Sequence, residues 1–288
     1  MVHAFRIEGD SVHYSNRWVR TRQWSLEARA GRALFATSGD PRAHDPSVAR
    51  EVTDGAANTN LIWHAGRLLA LEEGHAPIEL QPDTLETLGP WTFDGRLAAN
   101  MTAHPKLDPR SGEMVFFANE PGRRFEREGE ILWGVADPDG TIGRTHVLDT
   151  PFPSIVHDFA VTEDFVVIAV CPVTISLRRA RSGGPPLAWE PERGTHVAIA
   201  RRDGTGDVRW LERSPCFVWH VLNSWNEGGR VTIDVCEQRA PAFPAIDRAT
   251  SSRRARPTPH ALGDRCLRSG SDRGQAAGRR DLRIPTHR

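Results

Sequence analysis

One pattern recurs three times along this chain of 288 residues and constrains its fold more than any other feature. In each copy a histidine leads into a short segment, an acidic or glycine-containing turn follows, and an apolar run closes the unit. The histidines are His104, His157 and His220, and the apolar runs after the first and last of them span residues 114–118 and 231–235. This recurrence predicts a repeat architecture that places the same residue at the same position of successive units.

Most of the chain before residue 248 is typical of β-strands. Short apolar or alternating runs are separated by Gly, Pro, Asp and Asn, and the segments "HAGR", "DPDG" and "RDGTGD" predict hairpin turns. Residues 22–30 predict a short helix. Many short strands indicate an all-β sandwich, barrel or propeller, and the spacing of the histidines favours a propeller, whose blades take roughly 40–50 residues each. Because the innermost strand of each blade faces the central axis, the three histidines are expected to converge there.

The charge balance and the apolar content exclude several functions. The formal net charge is zero, so we expect no nucleic-acid partner. No segment approaches the roughly 20 apolar residues of a membrane-spanning helix, and the N-terminal stretch lacks the apolar region of an export signal. These features predict a cytoplasmic protein. The four cysteines, Cys171, Cys216, Cys236 and Cys266, lack CxxC spacing, so we expect reduced thiols.

The C-terminal stretch differs from the rest in composition. Residues 248–288 contain 11 arginines and no aromatic side chain, and they show no apolar periodicity. Such a segment cannot bury enough apolar surface to offset its ordering entropy. The sequence therefore predicts a β-rich domain over residues 1–247 followed by a disordered, arginine-rich tail, with a break abrupt enough to suggest an out-of-frame terminus.

Three convergent histidines point to a metal centre. Neutral imidazole suits zinc, copper, iron and nickel, so the ligand type leaves the ion open. A redox metal with open positions can hold dioxygen beside a substrate, whereas zinc on three histidines activates water. The short HExxH zinc signature is absent from the sequence.

Other ionisable residues near these motifs carry weaker signals. Glu72 and Glu73 end the apolar run "RLLAL" and read as ordinary solvated strand ends on composition alone. Asp158 follows His157 directly and, because side chains alternate along a strand, is a poor partner for its neighbour. His64 sits in the turn "HAGR" and is expected to be exposed.

Four longer stretches resemble the carotenoid cleavage dioxygenase family, also called the carotenoid oxygenase family. They are "ANTNLIWHAGRLLALEEGHAPIELQPDTLETLGPW", "MTAHPKLDPRSGEMVFF", "IVHDFAVTEDFVVI" and "PCFVWHVLNSWNEGGRVTIDVC". The family includes carotenoid, apocarotenoid and lignostilbene dioxygenases and the retinoid isomerase of the retinal pigment epithelium. The resemblance runs from about residue 1 to residue 246.

The resemblance implies a seven-bladed β-propeller that holds Fe(II) with four histidines, supported by glutamates hydrogen-bonded to them. His104 in "TAHPK", His157 in "VHDF" and His220 in "FVWHVLN" match three of the ligands, and Glu73 matches one of the glutamates. The implied reaction is cleavage of a conjugated C=C bond by O2, which gives two carbonyl products and places both oxygen atoms in them.

The chain departs from the family pattern at both ends. The N-terminal segment, the last blades and the fourth histidine have no counterpart, so we expect a partial propeller of about four to five blades. Three hypotheses follow: an iron-dependent dioxygenase, an inactive remnant without turnover, and a three-histidine zinc hydrolase on the same scaffold.

Substrate and partners are predicted from few residues. Stilbenoid-cleaving members use a lysine and a tyrosine to deprotonate a phenol, whereas Lys106 and Tyr14 are the single residues of these types here. This favours a carotenoid or apocarotenoid over a stilbenoid. We expect a monomer that binds an apolar polyene and O2, with peripheral membrane contact as an open alternative. Phe152, Phe159 and Trp219 are candidates to line an apolar tunnel.

Overall fold

The computed structural model describes residues 1–35, 44–48, 54–97, 100–119, 129–241 and, for the backbone alone, 279–283. The chain divides into two compact units, Met1–Asp149 and Thr150–Arg288. Antiparallel sheets dominate both units and helices are few, as the sequence predicts.

The first unit opens with a hairpin and the one longer helix of the described residues. Strands β1 (Val2–Glu8) and β2 (Ser11–Arg17) pair with each other, and helix α1 spans Arg22–Ala30, which confirms the predicted helix. The hydroxyl of Thr21 accepts a hydrogen bond from the Trp24 N–H at 3.1 Å and so caps the N-terminus. A 3-10 turn follows at Pro46–Val48.

Two four-stranded antiparallel sheets complete this unit, each a simple up-and-down meander. The first contains β3 (Asn60–His64), β4 (Arg67–Leu71), β5 (Ile78–Leu80) and β6 (Thr87–Pro90) in that order. The second contains β7 (Lys106–Leu107), β8 (Met114–Asn119), β9 (Glu130–Ala136) and β10 (Ile142–Asp149), also in chain order. The two sheets share a core of Ile62, Leu69, Leu71, Phe93, Leu97, Met101, Ala103, Met114, Phe116, Ala136 and Ile142.

Burial along the strands follows their place in the sheet. The run from Met114 to Ala118 in β8 is almost wholly inaccessible to solvent, because neighbouring strands flank it and both its faces are covered. Strand β10 lies at the sheet edge and is mostly exposed. A continuous apolar run therefore marks an inner strand here.

The second unit repeats the meander with an insertion. Strands β11 (Ala160–Val161), β12 (Phe165–Val170), β15 (Thr195–Arg201) and β16 (Arg209–Arg213) form its four-stranded sheet. The insertion between β12 and β15 holds β13 (Val173–Ile175), helix α2 (Leu177–Arg181), β14 (Leu187–Trp189) and a 3-10 turn at Pro191–Arg193. A third sheet contains β17 (Phe217–Glu227), β18 (Arg230–Gln238) and β19 (Arg279–Arg283).

The predicted turns join paired strands. "HAGR" links β3 to β4, "DPDG" links β9 to β10, and "RDGTGD" links β15 to β16. In the first of them Ala65 and Gly66 both have positive φ, at 51° and 74°, as a tight two-residue hairpin requires. Each meander has the size of one propeller blade, and the closure of such blades around an axis stays a prediction.

The C-terminal tail is described only at β19. There Arg279–Arg283 pairs antiparallel with Arg230–Asp234 of β18, which differs from the disorder expected for residues 248–288. The backbone of β18 offers an edge row of N–H and C=O groups, and an extended segment of almost any composition can pair with such an edge. The remainder of the predicted tail lies outside the described residues.

Candidate metal centre

Each of the three repeated histidines lies at the first strand of its own sheet. His104 precedes β7, His157 precedes β11, and His220 lies within β17. These three strands stand at sheet edges, and each pairs with the next strand along the chain through a turn. The equivalence expected from the sequence is therefore present in the strand order.

The loop before β11 fixes the position of His157. Val156, Asp158 and Phe159 are buried at 1%, 4% and 1% exposure, while His157 between them is half-buried. The Ile155 N–H donates to the Val173 carbonyl at 3.1 Å, which ties the loop to the neighbouring hairpin. The buried flanking side chains thus anchor the loop and leave the imidazole facing outward.

A β-bulge fixes the position of His220. Val218 pairs with Glu237 and Val221 pairs with Val235, so three steps along β17 oppose two along β18. The extra residue falls at Trp219 and His220, and such a bulge bends the strand and redirects its side chains. His220 is exposed, although Val218 and Val231 on the same hairpin are buried.

The structure brings His157 and His220 together within the second unit. Their Nε2 atoms are 3.1 Å apart, and their ring centroids are separated by 4.9 Å with the planes at 68°. The indole of Trp219 packs edge-on against His157 at 5.1 Å, and its Nε1–H donates to Gln238 Oε1 at 2.9 Å. Trp219 therefore supports the pair from the side, a role that its apolar character alone does not signal.

The spacing of the pair suits a shared cation. Two imidazoles at neighbouring positions of an octahedral ion, with metal–nitrogen bonds of about 2.1 Å, have nitrogens about 3.0 Å apart. The same 3.1 Å also allows one neutral imidazole to donate N–H to the other. The pair of ring nitrogens thus fits a metal ion. In the metal-bound arrangement neither Nε2 atom carries a proton, whereas in the hydrogen-bonded arrangement one of them does.

His104 lies in the first unit at the end of a tightly held loop. The Asn100 side chain donates to the Glu73 carbonyl at 2.7 Å, and the Thr102 N–H donates to the Phe117 carbonyl at 2.8 Å. Asn60 donates to the Ala103 carbonyl at 2.9 Å. These bonds fix the backbone before His104, whose own N–H donates to Thr102 Oγ1 at 3.0 Å.

The two candidate glutamates differ in their surroundings. Glu72 pairs with His75, and its second oxygen accepts from the Ala56 N–H at 3.1 Å. It is therefore a structural carboxylate and not the solvated strand end that its sequence context suggests. Glu73 is half-buried, and its carbonyl is tied to Asn100 in the loop that leads to His104. The function of the Glu73 carboxylate stays a prediction.

The expectation for His64 is wrong. Its side chain is buried at 5% exposure, and Nε2 contacts the Gly112 carbonyl at 3.3 Å. His64 is the last residue of β3, before the turn begins, and strand alternation directs it to the same face as Ile62. Burial lowers the pKa of His64, which favours the neutral ring.

Two buried thiols, those of Cys171 and Cys216, lie in the same unit as the imidazole pair. Cys171 follows β12 and Cys216 precedes β17, and both pack in one apolar cluster with Val173, Phe217 and Val218. Thr195 Oγ1 donates to the Cys216 carbonyl and accepts from its N–H, at 3.1 and 3.0 Å. A hydrogen bond from Cys171 lowers the pKa of Cys216 to about 7, and the same contact raises the pKa of Cys171.

An apolar cavity of about 310 Å³ lies between the two larger sheets of the second unit. Val167, Val197 and Ile233 line the cavity, and so do Asp158 and Phe159, which follow His157 in the chain. Of the other tunnel candidates, Phe152 is buried against His196 and Trp219 packs on His157. Among the described residues, no helix is long and apolar enough to cross a membrane.

The sheets and the imidazole pair define a β-sheet protein whose paired ring nitrogens have a spacing that suits a metal ion. Comparison with known proteins goes further, because residues 1–278 match the family described as retinal pigment epithelial membrane protein. This chain belongs to that family, which is the carotenoid oxygenase family.

Curated relatives of the chain are named as oxygenases. Isoeugenol monooxygenase of Pseudomonas putida is 37% identical over 243 residues, which cover 84% of this chain and 50% of that protein. Resveratrol cleavage oxygenase 1 of Chaetomium globosum is 35% identical and is covered over 40% of its length. The chain thus spans about half the length, or less, of these curated relatives.

Solved structures support the same assignment. Lignostilbene dioxygenase of Pseudomonas brassicacearum superposes with a TM-score of 0.74 at 35% identity, covering 81% of this chain and 48% of that one. Cobalt-substituted apocarotenoid oxygenase of Synechocystis gives a TM-score of 0.73 at 26% identity, covering 85% and 53%.

Proposed function

We propose that this chain carries the metal-binding part of an Fe(II)-dependent dioxygenase that cleaves a conjugated C=C bond with O2. His104, His157 and His220 would hold the ion through one ring nitrogen each. The observation that carries the proposal is the 3.1 Å separation between the Nε2 atoms of His157 and His220, two side chains that the bulge and the anchored loop direct toward each other.

Imidazole-held iron would supply the redox chemistry that dioxygen needs to react with a closed-shell alkene. The double bond breaks completely in the overall reaction, and each of its carbons leaves as a carbonyl with one oxygen atom from O2. No external reductant enters this balance. The protein positions the ligands: Trp219 packs against the ring of His157, and Glu73 is proposed to accept a hydrogen bond from the second nitrogen of a ligand histidine.

Two substrate classes are consistent with the family. The sequence favours a carotenoid or apocarotenoid, and the relatives named for apocarotenoid and carotenoid cleavage support it. The relatives named for isoeugenol, resveratrol and lignostilbene are 30–37% identical to the chain, and those named for carotenoid or apocarotenoid cleavage are 26–34% identical. We therefore place an aryl alkene first and an apocarotenoid second.

The experiment uses the full 288-residue chain, loaded with Fe(II) without oxygen and then exposed to labelled O2 with isoeugenol, resveratrol or an apocarotenal. We expect mass spectrometry to find two carbonyl fragments that each carry one labelled oxygen. His157→Ala and His220→Ala should abolish both iron binding and product, whereas His13→Ala, on the exposed face of β2, should change neither.

Three results would contradict the proposal in different ways. Stoichiometric iron without product would leave a metal-binding protein that lacks turnover. Little bound metal would support the inactive remnant. Stoichiometric zinc with ester hydrolysis would support the hydrolase. His104→Ala separately tests the third ligand, because retention of full iron affinity in that variant would restrict the site to the second unit.

A further inference from the structure

Asp158 connects the two segments that present the histidine pair. Its side chain is buried at 4% exposure. Oδ1 accepts a hydrogen bond from the Phe159 N–H, and Oδ2 accepts one from the Val221 N–H, both at 2.8 Å. Asp158 is covalently next to His157, and Val221 is covalently next to His220. One carboxylate therefore links the residue that follows His157 to the residue that follows His220.

The bulge explains why an acceptor is needed at this point. Register shifts between Val218 and Val221 and between Val221 and Asn223 disturb the regular ladder of β17 on both sides of Val221. A buried backbone N–H that leaves a ladder must find another acceptor, because an unmet donor in the interior is costly. The Asp158 carboxylate accepts from Val221 and so stabilises the bulge in the form that directs His220 toward His157.

The chemistry of the side chain matters as much as its place. An ionised carboxylate has only acceptor atoms, and its two oxygens receive the two N–H groups at once. An amide of the same shape offers one oxygen and one NH2 group, so one of the two backbone donors would face another donor. The bond between Phe159 and Oδ1 also fixes the rotation of the carboxylate, which aims Oδ2 at Val221.

Further contacts hold the same two segments but lie away from the rings. Ser224 Oγ donates to the Val161 carbonyl at 2.7 Å, and the side chains of Asn226 and Asp164 bond at 2.8 Å. These contacts align β17 with β11 and with the turn that follows β11, beyond the bulge. Asp158 differs from them because it adjoins His157 in the chain and its partner Val221 adjoins His220.

We propose that Asp158 is a positioning residue that sets the separation and orientation of the His157 and His220 rings for metal binding. This inference rests on the proposed function for its purpose, but the positioning itself is a property of the metal-free chain. Asp158 would act through its hydrogen bond to the Val221 N–H in the opposite segment and not through its neighbour His157.

The matched control is Thr195→Val. Thr195 is also buried, and its hydroxyl also makes two hydrogen bonds to the backbone next to β17, but at Cys216 and not at the bulge. Asp158→Asn and Thr195→Val both remove buried polar bonds that join β17 to another segment. A merely structural role of Asp158 would make the two variants behave alike.

The first measurement is ¹⁵N NMR of the histidine rings in the metal-free, full-length chain. We expect Asp158→Asn to shift the ring signals of His157 and His220, while Thr195→Val leaves them in place. The second measurement is titration with Co(II), read by its visible absorption. We expect Asp158→Asn to weaken cobalt binding by about 10- to 100-fold, the usual effect of removing a group that orients metal ligands, and to change the band shape.

Unchanged ring signals in Asp158→Asn would overturn the positioning role. If the unsubstituted chain binds no cobalt, the proposed function fails, and the ring signals still decide the inference. If Asp158→Asn does not fold, hydrogen exchange at the Val221 amide of the unsubstituted chain decides it. Protection of that amide beyond its exposed neighbours is expected, and rapid exchange would overturn the proposal.

Discussion

The Nε2 atoms of His157 and His220 lie 3.1 Å apart, although 63 residues of chain separate them. The contact arises because the edge strands β11 and β17 are neighbours in the second unit. Ser224 bonds Val161 of β11, and Asn226 bonds Asp164 in the turn that follows β11. Two imidazoles at this distance share either a proton or a cation. Because the contact requires the folded chain, metal binding at this pair should be coupled to folding.

Metal addition should raise the thermal stability of the chain. A ligand that binds only the folded state stabilises it by mass action, by about 2.7 kcal/mol at 100 times its dissociation constant. We expect Fe(II) or Co(II) to raise Tm in calorimetry, and His220→Ala to remove that rise. Because His13 is exposed on β2, His13→Ala should retain it, and a rise that persists in His220→Ala would place the metal elsewhere.

Gly55→Ala should destabilise the first unit. Gly55 has φ of 77°, and an added Cβ would meet the paired side chains of Glu72 and His75, with His75 Nδ1 2.6 Å away. We expect a loss of about 1–3 kcal/mol in the free energy of unfolding, measured with urea. Gly9→Ala is the matched control, because Gly9 has φ of 58° but open space around it. Equal losses in the two variants would show that backbone strain, and not the contact, sets the cost.

Phe116→Ala should cost about 3–5 kcal/mol, because Phe116 is fully buried at the centre of the first unit's core. The removed ring leaves a cavity that its neighbours on rigid strands cannot fill. Phe5 is 68% exposed on β1, so Phe5→Ala should change the free energy of unfolding by less than about 0.5 kcal/mol. Urea unfolding of both variants checks the contrast, and a small loss at Phe116 would mean that the core sheets repack.

The thiol pair predicts a pH dependence of stability. Because a hydrogen bond from Cys171 lowers the pKa of Cys216 to about 7, the folded state releases this proton more readily than the unfolded state. The contribution of ionised Cys216 to the free energy of unfolding is therefore present at alkaline pH and is lost as the pH falls through about 7. We expect the free energy of unfolding to rise between pH 7 and pH 8.5 by this contribution, on top of those of other groups.

Cys171→Ala removes the donor, so the rise over this interval should become smaller than in the unsubstituted chain. Cys236 is exposed and lies outside the buried cluster, so Cys236→Ala should keep the rise unchanged. Urea unfolding at several pH values distinguishes the variants. An identical pH dependence in Cys171→Ala would contradict the coupling of the two thiols.

Much of the strand architecture could be predicted because its signals are local. Apolar runs such as 114–118 and turn segments such as "HAGR" depend on neighbours within a few residues, and helix α1 begins after Thr21 as its capping chemistry requires. The equivalent positions of the three histidines could be predicted because the sequence pattern around them repeats. Sheet closure has no local signal, so the propeller stays a prediction.

The features that local patterns do not reveal involve partners distant in sequence. His64 was expected at the surface, but its burial depends on the segment around Gly112, which is 48 residues away. The sequence around Asp158 gives no sign of its bond to the Val221 N–H, because Val221 is 63 residues away. The pairing of Arg279–Arg283 with β18 depends on an open sheet edge, which composition does not reveal.

The bulge in β17 also limits how this chain can vary in length. Side chains alternate between the two faces of a strand. Deleting one residue between Val218 and Val221 would therefore turn the side chains on one side of the deletion to the opposite face of the sheet. Lengthening the Gly228–Gly229 connection would leave that phase intact. The loss of one residue at the bulge would therefore change the direction of the His220 imidazole, whereas the addition of several residues in the adjoining turn would not.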